Sequence, residues 1–286
     1  MNHSQNSISR KIYLHKDNYD CYDVPVYSLT AKEISDIFND GFLPDIQIEG
    51  LDATNKPQIA VILAQDKHVL RQEKDFTIHP AYVEAIVSAG GYPVFFSYDK
   101  VDEVLDMYQP QAIMLIGGFF YSPRNWYICE EEHDIDKRGK AYIEAITYAQ
   151  SQKIPLLGIC AGMQMLGGFC GAKLNKGYNN HLVGGDKVAH DVYISPNTKL
   201  AQIANSDTLR INSHHSEAIY KDHLGECIIS ALSDDGLVEA VELKNPWNEF
   251  VLGVQWHPER NFPNSSEFRK SLFASFVDAA KNYKKL

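Results

Sequence analysis

The chain has 286 residues, of which 44% are hydrophobic, and a formal net charge of −10 at pH 7. This length and composition are sufficient for one large buried core, or for a core with an appendage. The negative charge argues against nucleic acid or an anionic membrane as the main partner, and no apolar run is long enough to cross a bilayer.

Residues 1–56 are predicted to form an N-terminal extension of a main domain that spans residues 57–286. Within the extension, Thr30 and Glu33 are spaced as a capping box and are followed by an apolar face. This pattern predicts a short helix that packs on the main domain; a lid or a partner-docking element is the alternative. The polar stretch 52–57 is typical of a linker.

Fully apolar strands alternate with helices beyond the extension. Strands are predicted over 59–63, 93–96, 112–116 and 155–159, and helices over 80–89, 101–108, 136–152 and directly after residue 160. This alternation predicts an α/β fold with a doubly wound, mostly parallel sheet that is covered on both faces. A ligand site in such a sheet lies beyond the C-terminal ends of the strands.

Gly117 and Gly118 follow the predicted strand 112–116 directly. Glycines at a strand end let backbone N–H groups turn toward an oxyanion that develops during a reaction. A plain turn has the same sequence, so a function for this pair depends on a nucleophile nearby.

The motif Gly158-x-Cys160-x-Gly162 lies between the strand 155–159 and a helix. It matches a nucleophile elbow with sulfur in place of a hydroxyl, in a turn so tight that side chains at the two glycine positions would collide with backbone. The N-terminus of the following helix favours a thiolate at Cys160. The alternative is an ordinary buried, unreactive cysteine.

The last third of the chain shows the patterns of β-hairpins. Strands are predicted within 187–194 and 208–212, a hairpin over 228–243 with its turn at 234–236, and a C-terminal helix from about residue 266. The fold therefore combines a parallel sheet with late hairpins.

A second apolar strand ends at the sequence Gln255-Trp256-His257-Pro258-Glu259. A thiol needs a base to form the thiolate and an acid to protonate a leaving amine, and imidazole does both near neutral pH. If this stretch is extended, Glu259 lies on the same side as His257 and can orient the ring. Together with Cys160 these two residues form a complete nucleophilic set, which favours the reactive interpretation of the thiol.

The two motifs together resemble the class I glutamine amidotransferase superfamily. Within it they are most similar to the γ-glutamyl hydrolase branch, which includes bacterial γ-glutamyl-γ-aminobutyrate hydrolases. Further segments that resemble this branch are 80–94, 116–123, 211–219 and 235–242. The resemblance covers roughly residues 57–280, and it implies a flavodoxin-like, class I glutamine amidotransferase-like sheet.

The resemblance also implies roles for residues around the thiol. The backbone N–H groups of Gly118 and Ala161 would form an oxyanion hole. Gly117 would line the substrate pocket, and Gln164, one turn beyond Cys160, would help to hold the γ-glutamyl group.

Three more residues are expected at the substrate end of the pocket by resemblance. His215 matches the histidine of the branch's Asn-Ser-x-His-x-Gln segment, and Glu217 replaces its glutamine. Tyr127 follows Pro123 with one extra residue compared with the branch. A carboxylate at residue 217 is expected to favour a cationic leaving amine and to disfavour one that carries a carboxylate.

These features predict a cysteine hydrolase of γ-glutamyl amides, in which Cys160 attacks the γ-carbonyl, His257 moves protons and Glu259 orients His257. Two alternatives stay open. A glutaminase subunit that passes ammonia to a synthetase belongs to the same superfamily, and a binding or effector protein on this fold would use the N-terminal extension. The sequence does not identify the leaving amine.

The sequence predicts no cofactor and no metal ligands. The histidines do not form a His-Glu-x-x-His frame, no cysteine pair has zinc spacing, and no phosphate-binding loop is present. The polar first residues and the five widely spaced cysteines lead us to expect a cytoplasmic protein without disulfides. The expected partner is a small γ-glutamyl substrate, and a homodimer is compatible with this interpretation.

Overall fold

The computed structural model describes residues 13–15, 21–22, 55–63, 77–96, 98, 100–129, 131–260, 262–263 and 265–284. The helix predicted after Thr30 lies outside these residues, and the domain boundary near residue 57 stays a prediction. Pro57, at the end of the predicted linker, is buried, and its carbonyl oxygen accepts a 2.9 Å hydrogen bond from the N–H of Tyr92. The chain has therefore already joined the main domain at this residue.

The described residues form strands and helices in the following order along the chain. The strands are β1 (Tyr13–His15), β2 (Cys21–Tyr22), β3 (Gln58–Ile62), β4 (Thr77–Ile78), β5 (Tyr92–Phe96), β6 (Ala112–Leu115), β7 (Leu156–Ile159), β8 (Leu174–Lys176), β9 (Leu182–Gly184), β10 (His190–Ile194), β11 (Thr208–Ile211), β12 (Ser213–His214), β13 (Glu217–Ile219), β14 (Cys227–Ser233), β15 (Val238–Leu243) and β16 (Val251–Val254). The α-helices are α1 (Pro80–Ser88), α2 (Val101–Tyr108), α3 (Lys137–Gln152), α4 (Ala161–Phe169), α5 (Lys199–Ala204) and α6 (Ser266–Asn282), and two 3₁₀ helices span Arg124–Trp126 and Asn179–His181.

The central sheet has a parallel half and an antiparallel half. Its strand order is β11-β10-β14-β15-β16-β7-β6-β3-β5. The last five strands in this order run parallel to one another, and taken by their order in the chain they are arranged 5-4-3-1-2. This is the flavodoxin-like order, so the predicted doubly wound, mostly parallel sheet is confirmed.

Short strands flank this sheet. β8 and β13 join it through β15, β12 pairs with β9, and β1 pairs with both β2 and β4. Part of the N-terminal extension is thus paired with a strand from beyond residue 57.

Helices cover both faces of the sheet. In β3, Ile59 and Val61 point into a core shared with α1, α5 and α6, whereas Ala60 and Ile62 point into a core shared with α2, α3 and α4. This two-residue alternation with both faces apolar is the reason for the continuous hydrophobic strands of the sequence. Among the described residues, no helix combines the length and the apolar character needed to cross a membrane.

The predicted elements match the structure within a few residues, and the β14–β15 hairpin turns where the sequence predicted. The strand predicted within 187–194 begins only at residue 190. Among the strands and α-helices after residue 100, the helix α5 and the strands β8, β9, β12 and β13 were not predicted, and neither were β1, β2 and β4 before it. All are short, and most have remote partners: Glu242, for example, accepts hydrogen bonds from the first two N–H groups of α5. Too few residues are present in each for a periodic pattern.

Candidate active site

Three neighbouring parallel strands bring Gly117, Cys160 and His257 to one edge of the sheet. β6, β7 and β16 lie side by side, and each ends shortly before one of these residues. A Cβ atom placed on Gly117 would lie 2.7 Å from Cε1 of His257 and 3.2 Å from Cβ of Cys160. The residues that the sequence predicted to meet are therefore packed against one another.

The backbone at Cys160 is strained. Its φ of 53° and ψ of −110° lie in a region that L-residues rarely adopt. A Cβ on Gly158 would lie 2.7 Å from the carbonyl group of Gly162, and a Cβ on Gly162 would overlap the carbonyl oxygen of Leu115. Helix and sheet thus approach as closely as the glycines predicted, and Cys160 occupies the only residue between β7 and α4.

His257 and Glu259 form a buried hydrogen-bonded pair. Nδ1 of His257 lies 2.8 Å from Oε1 of Glu259, and the His257 ring also lies within hydrogen-bonding reach of the Cys160 thiol. The carboxylate fixes the proton on Nδ1, which leaves Nε2 for the thiol. The predicted extended stretch is wrong, however: the N–H of Arg260 donates to the carbonyl of His257 at 3.2 Å and closes a turn, so the turn brings Glu259 to the ring.

The opposite charges of His257 and Glu259 stabilise each other. Burial lowers the pKa of His257, but the negative charge of Glu259, together with the neighbouring Cys160 side chain, outweighs burial and raises the pKa of His257 to about 10. Burial raises the pKa of the Glu259 carboxyl, but the imidazolium outweighs burial and the pKa of Glu259 falls below its ordinary value. The pair is therefore best described as imidazolium and carboxylate.

Asn212 holds the backbone of His257 from a remote part of the chain. Its Oδ1 accepts from the N–H of His257 at 2.9 Å, and its Nδ2 donates to the carbonyl of His257 at 2.9 Å and to the carbonyl of Gly185. Asn212 is completely buried. No role was predicted for it from the sequence, although it begins the Asn-Ser-x-His segment.

Tyr82, on α1, links His257 to the loop after β6 that contains Gly117 and Gly118, here called the glycine loop. Its hydroxyl accepts from the N–H of Gly117 at 3.0 Å and lies 3.5 Å from Nδ1 of His257. Burial, reinforced by the charge of Glu259, raises the pKa of Tyr82 well above its ordinary value, so the hydroxyl keeps its proton. Nothing in the sequence distinguished this tyrosine from a core residue.

Arg138, in the first turn of α3, holds the carbonyl groups of the glycine loop. Its Nη2 donates to the carbonyls of Ile116 at 3.1 Å and Gly117 at 2.7 Å, and its Nη1 to that of Phe119 at 3.3 Å. In a trans peptide the N–H points opposite to the C=O. Because the carbonyl of Gly117 faces the guanidinium, the N–H of Gly118 faces away from it, with Gly118 at a φ of +123°.

One feature of the sequence distinguishes Arg138, namely its place in the first turn of a helix. A cation in the first turn of a helix is unfavourable with respect to the helix dipole, so a buried arginine there needs another reason. Arg138 is 3% exposed, and its guanidinium also packs over the rings of Phe120 and Tyr142, at 5.5 Å and 5.1 Å from their centroids.

The other residues expected to bind substrate meet around Glu217. Its carbonyl oxygen lies 2.8 Å from Nε2 of Gln164 and 3.0 Å from Nδ1 of His215. Its carboxylate accepts from the hydroxyl of Tyr127 at 2.9 Å and lies 3.5 Å from Nζ of Lys176. Ala161 is the first residue of α4. The structure thus brings these residues together, while their contacts with a substrate stay a prediction.

Fold and site together define the class. A cysteine at a strand-to-helix elbow, beside a His–Glu pair on a doubly wound sheet, is the arrangement of class I glutamine amidotransferase-like proteins. The chain belongs to the peptidase C26 family, whose model matches residues 57–259.

Individual relatives support this assignment. A putative glutamine amidotransferase of Mycobacterium tuberculosis is 32% identical over 220 residues, which cover 71% of this chain and 67% of the relative. The γ-glutamyl-γ-aminobutyrate hydrolase PuuD of Escherichia coli is 29% identical over 253 residues, which cover 80% of this chain and 95% of the relative.

A solved structure agrees on the fold. The glutaminase domain of Trypanosoma brucei CTPS with bound acivicin has a TM-score of 0.59 at 18% identity, and the match covers 81% of this chain and 96% of that one.

We expect Asn212→Asp to lower the free energy of unfolding by about 3 kcal/mol, because two buried carbonyls lose their donor and a buried charge replaces it. Denaturant unfolding at pH 7 measures this. The matched control is Asn248→Asp: the amide of Asn248 also donates to a carbonyl and accepts from an N–H, but at the surface. That control should cost less than about 1 kcal/mol. Equal losses in the two variants would contradict the role given to Asn212.

Proposed function

We propose that the chain is a cysteine hydrolase that cleaves γ-glutamyl amide bonds through a γ-glutamyl thioester on Cys160. The observation that carries this proposal is the thiol in a strained elbow, within reach of the His257–Glu259 pair. The names of the γ-glutamyl-γ-aminobutyrate hydrolases among the relatives support the substrate class.

In the first half of the proposed reaction, the thiolate of Cys160 attacks the γ-carbonyl carbon and forms a C–S bond. The oxyanion that develops accepts hydrogen bonds from the N–H groups of Gly118 and Ala161. The tetrahedral species then breaks its C–N bond, and Nε2 of His257 gives its proton to the departing amine. Arg138 acts on this step indirectly, because it orients the peptide that carries the N–H of Gly118.

In the second half, neutral His257 takes a proton from water. The hydroxide attacks the thioester carbon, the C–S bond breaks, and glutamate leaves while Cys160 recovers the thiolate. Glu259 keeps the Nδ1 proton in place and stabilises the imidazolium in both halves. The sequence of steps needs only substrate and water.

A glutaminase that supplies ammonia to a synthetase is the second candidate, because one relative is named a putative glutamine amidotransferase. The two candidate functions differ in whether the chain needs a partner protein for full activity. A stand-alone hydrolase turns over γ-glutamyl amines without a partner, whereas an ammonia-donating subunit prefers glutamine and gains activity when its synthetase binds.

The contacts of Glu217 with Tyr127 and Lys176 reduce the effect that its charge is expected to have on the choice of leaving amine. Burial raises the pKa of its carboxyl, although Tyr127 and Lys176 oppose this. Lys176 also pairs with Glu131 at 2.6 Å, so the group of two carboxylates and one ammonium keeps a net negative charge. A preference for cationic leaving amines therefore stays a prediction, with Lys176 reducing its size.

Cys160→Ala should lower the release of glutamate by about 10⁴-fold or more, as expected for the loss of a nucleophile. The test incubates the purified chain with glutamine and with γ-glutamyl amides of anionic, neutral and cationic amines. Cys129→Ala, at an exposed cysteine, is the control and should keep full activity. If Cys160→Ala keeps more than about a tenth of wild-type turnover, the assigned nucleophile is wrong. Activity on glutamine alone would favour the ammonia-donating subunit.

Arg138→Lys keeps the positive charge but loses the fork that reaches the three carbonyls. We expect kcat to fall by about 10²-fold, comparable to the loss of an oxyanion donor, with KM changed by no more than about threefold. Steady-state kinetics on the best substrate of the panel measures the split between kcat and KM. Arg210→Lys, at an exposed ion pair, serves as the control. An unchanged kcat in a folded Arg138→Lys variant contradicts the positioning role.

Glu259→Gln should change the pH profile as well as the rate. Because the charge of Glu259 raises the pKa of His257, its removal lowers that pKa, and the imidazolium is lost at a lower pH. The alkaline limb of kcat/KM should therefore move to lower pH, and the maximum should fall by about 10²–10⁴-fold. Profiles of wild type, Glu259→Gln and the exposed control Glu249→Gln decide this. A drop in rate with an unmoved alkaline limb argues against the assigned acid.

A further inference from the structure

Three imidazole rings converge on one buried carboxylate away from Cys160. Nδ1 of His181, Nε2 of His190 and Nε2 of His215 lie 3.4, 3.2 and 3.4 Å from Oε1 of Glu239. His181, His215 and Glu239 are all buried, and one ligand atom from each lies within 4.8 Å of the others. The four residues come from the second 3₁₀ helix, β10, the residue after β12, and β15.

The hydrogen bonds of His215 assign its proton. Nδ1 lies 3.0 Å from the carbonyl oxygen of Glu217, which can only accept, so Nδ1 carries the hydrogen. In the neutral ring Nε2 then presents a lone pair toward Glu239, where it makes no hydrogen bond of acceptable geometry. The second carboxylate oxygen of Glu239 is also buried without a hydrogen bond.

His181 is arranged in the same way. Nε2 lies 3.0 Å from Oδ2 of Asp235, so the hydrogen of the neutral ring is on Nε2. Nδ1 then lies 3.4 Å from Oε1 of Glu239 and 3.3 Å from the hydroxyl oxygen of Ser213, whose own hydrogen is donated to the carbonyl of His181 at 2.9 Å. Asp235 is itself held by the hydroxyl of Ser233 at 2.5 Å and the amide of Asn180 at 3.3 Å. A carboxylate that fixes the far nitrogen of a histidine is the usual outer support of a metal ligand.

Two arrangements would remove the repulsion between these nitrogen lone pairs and the carboxylate of Glu239. Either one or more rings take a second proton, or one cation binds between them. A second proton on His181 alone would leave Nε2 of His215 without a hydrogen-bond partner. Two imidazolium rings would have centroids only 4.8 Å apart in a buried site, which is unfavourable. The distance from Nε2 of His190 to Oε1 is that of a hydrogen bond, at 3.2 Å, whereas the 3.4 Å distances from His181 and His215 are at the long end for N–H···O hydrogen bonds. The latter distances match the edge of a tetrahedron of ligands around zinc, about 3.3–3.4 Å for bonds of about 2.0–2.1 Å.

We propose that His181, His215 and Glu239 bind a divalent transition-metal ion of the zinc type, with His190 hydrogen-bonded to the same carboxylate outside the set of ligands. Imidazole and carboxylate donors suit zinc and cobalt(II). The ion joins the three elements that carry its ligands, and a water molecule would complete its coordination. This proposal departs from the sequence-based expectation of no metal ligands, and it does not depend on the proposed hydrolase activity.

The test measures metal binding directly. The full chain carries Cys160→Ala, which removes the reactive thiol as a competing ligand, and is purified without a polyhistidine tag and treated with a chelator. Cobalt(II) titration should give visible d–d absorption of a tetrahedral site that saturates at about one equivalent per chain, and zinc should displace it. Zinc at about 100-fold above its dissociation constant should raise the Tm by about 5 °C or more.

Variants assign the signal to the cluster. His215→Ala and the nearly isosteric Glu239→Gln should lose most of the absorption and most of the Tm shift, whereas His214→Ala, at the exposed neighbour, should keep both. Circular dichroism checks that each variant is folded. A folded parent chain that binds less than about a tenth of an equivalent of either metal overturns the proposal, and so does a folded Glu239→Gln variant that binds as the parent does.

Discussion

The turn at Cys160 is the constraint on which the arrangement of residues at the C-terminal ends of the parallel strands depends. β7 becomes α4 within a single residue, and this is only possible because Gly158 and Gly162 let strand, helix and the neighbouring β6 approach to backbone contact. The strain of a positive φ at Cys160 persists because its surroundings are rigid on both sides. Its N–H donates at 2.7 Å to the carbonyl of Val254 in β16, so the turn also fixes the strand that leads to His257.

Around this turn, each backbone segment of the candidate active site forms hydrogen bonds with one buried polar side chain from a distant part of the sequence. Asn212 holds both backbone groups of His257, Tyr82 holds the N–H of Gly117, and Arg138 holds the loop carbonyls. Buried polar groups are costly unless they are paired, so each of these side chains has essentially one stable arrangement. The orientation of these backbone segments therefore depends on hydrogen bonds between residues that are far apart in the sequence.

This dependence explains what could be predicted. The parallel strands, the main helices, the elbow and the meeting of Cys160 with His257 follow from local patterns, namely apolar runs, glycine spacing and strand ends. The turn that carries Glu259 was expected to be extended, because its hydrogen bond to the carbonyl of His257 leaves no trace in the sequence. Tyr82 and Arg138 were missed because their partners are backbone atoms far away in the chain.

The histidine cluster was missed for a related reason. Metal sites are recognisable in a sequence when several ligands share one turn or helix, whereas His181, His190, His215 and Glu239 are separated by 9 to 25 residues and come from four elements. The antiparallel half of the sheet, which carries His190 and Glu239, and the separate β9–β12 pair, which is flanked by His181 and His215, bring them together. The late hairpins therefore do more than extend the sheet: β15 supplies the carboxylate that the three rings surround.

One short segment connects the cluster with the edge of the sheet. In an extended chain alternate residues share a side. Along residues 212–217, Ser213 and His215 face His181 and Glu239, whereas Asn212 faces His257 and His214 is exposed. An ion bound to the cluster would fix the backbone from which Asn212 holds His257, without contacting a substrate. A bound cation is suited to this task, since its bonds are stronger than the hydrogen bonds that would otherwise fix so short a segment.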